Sequence, residues 1–254
     1  MSLTLIVPFF NESERWLEDY WNDATSLKDV QWIFVNDGSS DDTKTLIDEF
    51  CHGHPNVCAI HLPQNSGKAE AVRVGMLSAF ENSLSDLQGI GFVDCDGAFT
   101  VNEIERVSQI FKLKIHEHDR FDALWTARIA LAGRSVTRSK FRHYVGRVIA
   151  TIISSNLRDL PYDTQSGFKI FVASQNLKQH LSSPFKTRWF FDVELLLRWN
   201  LWNSEPMKIW EEPLLAWNDV AGSKVKLRQT IGIIKELLTI NKLKKFISRS
   251  KKLS

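Results

Sequence analysis

The chain has 254 residues, of which 43% are hydrophobic and 24% are charged, and its formal net charge is +2. This composition excludes a disordered chain and favours one large globular domain with a packed core. The three cysteines form no CxxC motif, which argues against a disulfide framework, and no uncharged apolar run reaches the ~20 residues of a membrane-spanning helix.

The first half of the chain alternates predicted strands and predicted helices. Continuous apolar runs predict the strands, because a strand covered on both faces is apolar throughout. In chain order the predicted elements are a strand at 3–7 that Pro8 ends, a helix capped by Asn11 or Ser13 that extends to Ser26, a strand at 31–35, a helix at 41–50, a strand at 57–62, a helix at 69–83 and a strand at 90–93. This alternation indicates βαβ units and a parallel sheet.

Charged residues follow these strands at the points where the strands end. Right-handed crossovers bring the carboxyl ends of parallel strands to one edge of the sheet, where open α/β folds bind ligands. The charged residues in these loops are Glu12, Asp37, Lys68, Asp94 and Asp96. Four carboxylates beside one lysine indicate a binding site. Because the chain has no GxGxxG motif after the first strand and no GxxxxGK[ST] motif, the sequence does not favour a dinucleotide enzyme or a P-loop protein.

Asp94 and Asp96 lie directly after the fourth predicted strand. In an extended segment, residues i and i+2 point to the same side, so the two carboxylates can converge on one hard cation. Gly97 lets the backbone turn away beneath them. The alternative is an ordinary acidic turn, since Asp and Gly are both common turn residues.

The second half is less regular and has a basic cluster near its start. A helix near 102–114 and a strand at 123–127 are predicted before the cluster, and a long helix at 141–156 after it. The cluster consists of Arg128, Arg134, Arg138, Lys140 and Arg142. Such residues after a strand end suit phosphate oxygens, but a solvated helix start has the same composition. Farther along, Asp192 and Glu194 open an apolar helix, where the helix dipole favours carboxylates without a catalytic role.

Several segments of the chain resemble the family 2 glycosyltransferases of the GT-A fold. In the first half, the likeness is carried by Val7 to Glu12, Val35 to Thr43, Asn65 to Lys68 and Asp94 to Asp96. In the second half, segments similar to the polyprenyl-phosphate hexosyltransferases, which include the dolichyl-phosphate glucosyl- and mannosyltransferases, are Asp163 to Lys169, Trp189 to Leu195, Glu212-Pro213, Trp217 and Gly222 to Lys224.

The resemblance implies an α/β fold of the GT-A type over residues 1–223, with a mostly parallel mixed sheet. Residues 1–98 would form a Rossmann-like half that binds the nucleotide sugar, and residues 99–223 would form the acceptor half. A basic amphipathic helical tail would follow at 224–254.

The resemblance also implies metal-dependent, inverting transfer of a hexose from a UDP- or GDP-linked sugar. The residues implied in nucleotide-sugar binding are Pro8, Glu12, Asp37, Lys68, Asp94 and Asp96, the first three at the base and ribose. Asp94 and Asp96 would hold Mg²⁺ or Mn²⁺ against the diphosphate. A divalent cation there neutralises the charge that develops on the leaving group.

Two positions depart from the pattern of the family. Mannosyltransferase relatives often have a polar metal contact two positions after the second aspartate, where this chain has Ala98. Water would fill that position, or the metal affinity would be weaker. Glu70 stands where relatives tend to have glycine, so the loop that carries Lys68 is expected to differ in shape.

The acceptor determines which residues take part in the transfer. A polyprenyl phosphate arrives ionised and needs cationic partners, for which the resemblance implies Arg128 and Lys169 in the reaction and Arg134, Arg138 and Gln165 at the acceptor phosphate. A saccharide or protein hydroxyl would need a base, and the candidate is Asp192. With a phosphate acceptor, Asp192 would orient the donor sugar or an arginine. A non-catalytic module that binds a nucleotide sugar is the third alternative.

The charge is concentrated in the tail. Residues 224–254 contain ten Lys or Arg and one acid, Glu236, which gives the tail +9 and leaves −7 for residues 1–223. Apolar residues at helical spacing predict an amphipathic helix: Ile231, Ile234 and Leu238, and likewise Ile233, Leu237 and Ile240. This helix would lie on an anionic membrane surface or pack on the acidic body.

The same features give the expected location. No nucleic-acid recognition motif accompanies the basic charge, so nucleic acid is not an expected partner. Strand-like sequence from Leu3 leaves no room for a signal peptide, and we expect a cytoplasmic protein that is peripheral at the inner face of the membrane. The sequence does not predict the oligomeric state.

Overall fold

The first half of the structure alternates strands and helices as its sequence predicts. The computed structural model describes residues 2–82, 87–117, 121–137, 161–218, 232, 235–243 and 245. The elements of the first half are β1 (Ser2–Phe9), α1 (Glu18–Thr25), β2 (Val30–Asn36), α2 (Thr43–Gly53), β3 (Val57–His61), α3 (Lys68–Asn82) and β4 (Leu87–Val93), with a 3₁₀ turn at Ser13–Arg15.

The second half adds shorter elements to the same body. They are α4 (Val101–Lys114), β5 (Ala123–Ala127), β6 (Ser135–Thr137), β7 (Phe168–Val172), α5 (Gln175–Leu181), α6 (Phe191–Trp202), β8 (Ile209–Pro213) and β9 (Ala216–Asn218). Residues 235–243 are helical and are called the C-terminal helical segment below. The predicted helix at 141–156 and Arg138 lie outside the described residues. Within the described ranges, no helix is long and apolar enough to cross a bilayer.

Seven strands form one mixed sheet in the order β3-β2-β1-β4-β7-β5-β8. Neighbouring strands are parallel except where β7 lies antiparallel between β4 and β5. A separate two-stranded sheet pairs β6 with β9. The chain adds β2 and β3 on one side of β1 and then places β4 on the other side. The strand order therefore reverses between β1 and β4. Open α/β sheets bind ligands at the carboxyl ends of such strands.

Both faces of this sheet are covered, as the continuous apolar runs predict. Along β1, Leu5 and Val7 belong to the core of one face, and Ile6 belongs to the core of the other. Phe34 and Val35 alternate in the same way along β2. Helices α1, α2 and α4 contribute to the first core, and helices α3, α5 and α6 contribute to the second. The site therefore stands on a rigid, two-sided scaffold.

The structure corrects two details after β1. Strand β1 continues through Pro8 to Phe9, beyond the last pair that β1 makes with β4, Ile6–Phe92. Proline is tolerated there because the ladder on that side has already ended. The helix predicted to be capped by Asn11 or Ser13 instead begins at Glu18, because both polar side chains bind the 39–43 loop.

Candidate active site

The loops after β1 and β2 hold each other through side-chain hydrogen bonds. Asn11, at a φ of 53°, accepts from the Ser40 N–H at 2.9 Å. Both the N–H and the hydroxyl of Ser13 donate to Asp41, at 3.1 and 2.7 Å. Thr43 donates to the same carboxylate at 3.1 Å from its N–H and at 2.6 Å from its hydroxyl. Asp41, which sequence reasoning did not select, therefore fixes the loop that carries Glu12.

Asp37 organises the loop that precedes Lys68. Its carboxylate is buried and accepts from the N–H groups of Ser66 at 2.7 Å and Gly67 at 2.8 Å, and from the Asn65 amide at 3.0 Å. Burial raises the pKa of Asp37, although the two backbone hydrogen bonds oppose that shift. In this conformation Asp37 shapes the wall of the site.

Arg188 closes the same loop from the second half of the chain. Its guanidinium donates to the Asn65 side-chain oxygen at 2.9 Å. It also lies against Gly67, whose φ is +94°, where an added Cβ would approach Arg188 Nε to 2.5 Å. Sequence reasoning missed Arg188, although it immediately precedes the segment that starts at Trp189 and resembles the family.

Asp94 and Asp96 lie at the end of β4, beside the start of β7. The Asp94 side chain is one-third exposed and forms an ion pair with Lys68. Its backbone N–H donates to the Gly167 carbonyl at 3.0 Å, and its carboxylate fills the space that a Cβ on Gly167 would occupy. Burial raises the pKa of Asp96, and the neighbouring charge of Asp94 adds to the shift.

Glu12 belongs to the same group of acids. Burial raises the pKa of Glu12, an ion pair with Arg15 at 2.6 Å opposes that shift, and the charge of Asp96 adds to it. The structure thus brings Glu12 within electrostatic range of Asp96, which is in turn within range of Asp94. Pro8 lies in β1, opposite Val35 of β2, at the base of the same edge.

The donor atoms fit a hard divalent cation that is bound together with a diphosphate. In the part of the chain that the structure describes, no three His, Cys, Asp or Glu side chains are grouped to bind a metal ion on their own. Mg²⁺ needs only one or two carboxylates when phosphate oxygens and water complete its ligands, and Asp94 and Asp96 supply two. The ammonium of Lys68 already places a positive charge beside the Asp94 carboxylate. Ala98 contributes only its backbone N–H, which donates to Asp96 at 3.1 Å.

Three of the predicted phosphate-binding residues, Arg128, Arg134 and Gln165, are held by neighbouring groups. Asp163 accepts from Arg128 Nε at 2.7 Å and from its terminal nitrogen at 2.8 Å, so the guanidinium has a fixed orientation. The Gln165 N–H donates to the same carboxylate at 3.1 Å. Arg134 donates to the Pro213 carbonyl at 2.6 Å. Arg128, Gln165 and Asp163 therefore form one group.

Lys169 and Asp192 form an ion pair in the interior. The Lys169 side chain is fully buried, and its ammonium also donates to the Thr164 carbonyl at 2.9 Å. Burial lowers the pKa of Lys169, and the charge of Asp192 opposes the shift. The Lys169 and Lys68 ammoniums lie 5.9 and 5.5 Å from the centre of the Phe92 ring. The Lys169–Asp192 pair and the Lys68–Asp94 pair therefore lie near the same ring, the first buried and the second partly exposed.

This chain has a mostly parallel sheet, with an acid pair and a lysine at the edge where the strand order reverses. The GT-A glycosyltransferases have the same arrangement. The chain belongs to glycosyl transferase family 2, whose sequence profile matches residues 4–181. It is 30% identical over 250 residues to the dolichyl-phosphate beta-glucosyltransferase ALG5C of Trichomonas vaginalis, over 93% of this chain and 70% of that protein. Membership of this family favours an enzyme over a non-catalytic module.

Solved structures support the fold. The glucosyl-3-phosphoglycerate synthase from Mycobacterium tuberculosis, in complex with Mn²⁺, UDP and glucosyl-3-phosphoglycerate, matches 96% of this chain and 79% of its own, with a TM-score of 0.58 and 14% identity. S. aureus TarS 1-349 in complex with UDP matches 84% of this chain with a TM-score of 0.52 and 18% identity. This chain spans 60% of that TarS chain.

Proposed function

We propose that the protein transfers a hexose from a UDP- or GDP-linked sugar to a polyprenyl phosphate, with inversion and with the help of Mg²⁺ or Mn²⁺. The observation that carries the proposal is the ion pair between Asp94 and Lys68 beside Asp96, at the sheet edge where the strand order reverses. Opposite charges held side by side suit a diphosphate and its counter-ion. The name of the Trichomonas relative supports a lipid phosphate acceptor and glucose as the first sugar to test.

On the donor side, each group has a separate task. Asp37 and Arg188 shape the loop against which the base and ribose would lie. Lys68 would attract the diphosphate, while Asp94 and Asp96 would hold the divalent cation. When bound, that cation stabilises the negative charge that accumulates on the departing nucleoside diphosphate.

On the acceptor side, the burial of Asp192 supports a phosphate rather than a hydroxyl acceptor. A base must come within hydrogen-bond reach of the proton that it removes. The Asp192 side chain is only 6% exposed and is paired with Lys169. A phosphate acceptor needs no base, and Arg128, which Asp163 orients, would be its first cationic partner. Arg134, Arg138 and Gln165 complete the proposed acceptor group.

The proposed reaction is a single displacement. An ionised oxygen of the lipid phosphate attacks the anomeric carbon of the sugar from the side opposite the nucleotide. The bond between that carbon and the diphosphate oxygen breaks, and the nucleoside diphosphate leaves with the electron pair. No proton is transferred, and an α-linked donor gives a β-linked lipid phosphate sugar.

A lipid acceptor also suits a peripheral position at the cytoplasmic face of a membrane. In the C-terminal helical segment, Leu237 and Ile240 pack on α6, whereas Leu238 is 56% exposed. On and near α6, Trp202 and Trp189 are also exposed, at 71% and 59%. Exposed apolar side chains beside a strongly basic tail suit an anionic membrane interface.

The test is formation of a lipid-linked sugar. Protein is incubated with UDP-glucose or GDP-mannose, Mn²⁺ or Mg²⁺, and dolichyl or undecaprenyl phosphate, and the lipid fraction is analysed. We expect a β-linked product that requires the metal. Asp96→Asn should abolish product formation, whereas Asp23→Asn, at an exposed site on α1, should not. The absence of lipid-linked sugar with every common sugar nucleotide would contradict the proposal.

A further inference from the structure

Glu236 accepts hydrogen bonds at the start of helix α6. Its carboxylate accepts from the backbone N–H groups of Trp189 at 2.9 Å and Phe190 at 3.3 Å. Helix α6 begins at the next residue, and the apolar side chain of Phe190 cannot accept a hydrogen bond as a Ser or Asp cap would. A carboxylate at this end of a helix also interacts favourably with the helix dipole. A part of the chain 46 residues away thus contributes to the capping of α6.

Apolar packing holds Glu236 in this position. The C-terminal helical segment packs on α6 in a small cluster formed by Phe190, Val193, Leu197, Leu201, Leu237, Ile240 and Leu243. Beside this contact, a cavity of about 630 Å³ lies between the segment and helices α5 and α6. The segment therefore does not pack against the body along its whole length. The apolar cluster and the Glu236 carboxylate are two separate attachments.

Two carboxylates hold the short segment 186–190 from opposite ends. Glu194, which is fully buried, accepts from the N–H groups of Lys186 and Thr187, both at 2.9 Å. Glu236 holds the other end at Trp189 and Phe190. Between these two attachments lies Arg188, whose guanidinium contacts the loop that carries Lys68. The position of Arg188 is therefore fixed from both sides.

We infer that Glu236 is a positioning residue for donor binding, because it fixes segment 186–190 and keeps Arg188 against the 65–67 loop. The inference rests on the proposed function and adds to it a link between the C-terminal helical segment and the donor site. The segment thereby has a task in the active site that is separate from contact with a membrane. Residues 224–254 contain ten basic residues and a single acid, Glu236. The basic character of the tail therefore does not explain why an acid stands at this position.

The test compares Glu236→Ala and Glu236→Gln with a control, Glu49→Ala, at an exposed site on α2. Calorimetry gives the Kd of UDP in the presence of Mn²⁺, and kinetics give KM for UDP-glucose and kcat. Loss of two hydrogen bonds to a charged group is expected to raise the Kd and KM about tenfold in Glu236→Ala, with kcat within about twofold. Glu236→Gln keeps one acceptor oxygen and should lose about threefold. The control should match the unaltered protein.

A second comparison tests whether Glu236 acts through Arg188. In an Arg188→Ala background, Glu236→Ala should cause no further loss of UDP affinity, since the group that it positions is already gone. Independent, additive losses would overturn the inference, as would an unchanged Kd in Glu236→Ala. If thermal unfolding shows that the alanine variant does not fold, an unchanged Kd in Glu236→Gln would overturn it equally. Failure of the unaltered protein to bind any nucleoside diphosphate with Mn²⁺ would instead contradict the proposed function, and this inference with it.

Discussion

Gly167→Ala tests how closely the start of β7 approaches the proposed metal site. A Cβ at Gly167 would lie 2.0 Å from Asp94 Oδ2 and 2.4 Å from its Cγ. To reach the 3.4 Å of an ordinary contact, the oxygen has to move by about 1.4 Å. Displacements of about 1 Å in an active site cost on the order of 100-fold in rate. We therefore expect kcat/KM to fall about 100-fold and the affinity for UDP with Mn²⁺ to fall as well.

The assay is transfer from UDP-glucose to the lipid phosphate, together with UDP calorimetry in Mn²⁺. The matched control is Gly53→Ala, at the last residue of α2, where an added Cβ meets nothing within 4 Å. Alanine is the better helix former, so this control should keep full activity and an equal or slightly higher Tm. If Gly167→Ala kept full activity and full UDP affinity, the account of how Asp94 is positioned would be refuted.

Three further predictions concern groups around the site. Asp192→Asn and Lys169→Met should each lower the free energy of unfolding in urea by about 3–5 kcal/mol, because each leaves a buried charge unpaired. The double variant Lys169→Met/Asp192→Leu removes both charges and should recover most of that loss in the same measurement. Glu194→Gln should cost about 3 kcal/mol in the same measurement, because the buried carboxylate accepts from Arg198 and from backbone N–H groups that one amide oxygen cannot satisfy. Burial alone would raise the pKa of Asp41, but its hydrogen bonds outweigh that effect and lower the pKa to about 2. Its contribution to stability is therefore complete above about pH 4 and is lost as the pH falls toward 2, so Asp41→Asn should flatten this part of the pH–stability curve.

These predictions have clear contradicting results. A double variant no more stable than the single variants would show that the charges of Lys169 and Asp192 do not depend on each other. An unaltered urea midpoint in Glu194→Gln would show that segment 186–187 is held by other contacts. If Asp41→Asn and the unaltered protein lost stability in parallel between pH 4 and pH 2, the hydrogen bonds to Asp41 would not be what lowers its pKa.

The sequence predicted the first half of the fold well because its signals there are local. Apolar runs such as Leu3 to Val7 gave the strands, and strand β5 was predicted with the bounds that the structure has. The edge site followed from topology, since parallel strands bring their carboxyl ends together. The structure accordingly places Glu12 near Asp96 and Asp96 near Asp94, and it holds Lys68 against Asp94.

The remaining features depend on contacts between distant parts of the chain. Asn11 and Ser13 are good helix caps, but the tertiary hydrogen bonds to Ser40 and Asp41 direct both elsewhere. Strand β7 was not predicted as a strand because Lys169 interrupts its apolar run. A lysine fits inside the sheet because Asp192, 23 residues later, pairs with it and the Thr164 carbonyl accepts a hydrogen bond from it.

Arg188 and Glu236 could not have been assigned from local pattern. Arg188 contacts Asn65 across 123 residues of chain, and no spacing rule reports such a contact. Glu236 was visible in the sequence only as one acid in a basic tail. Its hydrogen bonds to the start of α6 depend on how the C-terminal helical segment packs. The signal that could have drawn attention to it is the apolar cap position of α6, which lacks a side-chain acceptor of its own.

The most direct test of the central claim is the binding of UDP and GDP with and without Mn²⁺, measured by calorimetry on the unaltered protein and on Asp96→Asn. The account predicts that Mn²⁺ raises the affinity for one of these nucleotides at least tenfold, and that Asp96→Asn removes this gain. Nucleotide binding that is independent of Mn²⁺ in both proteins would contradict it.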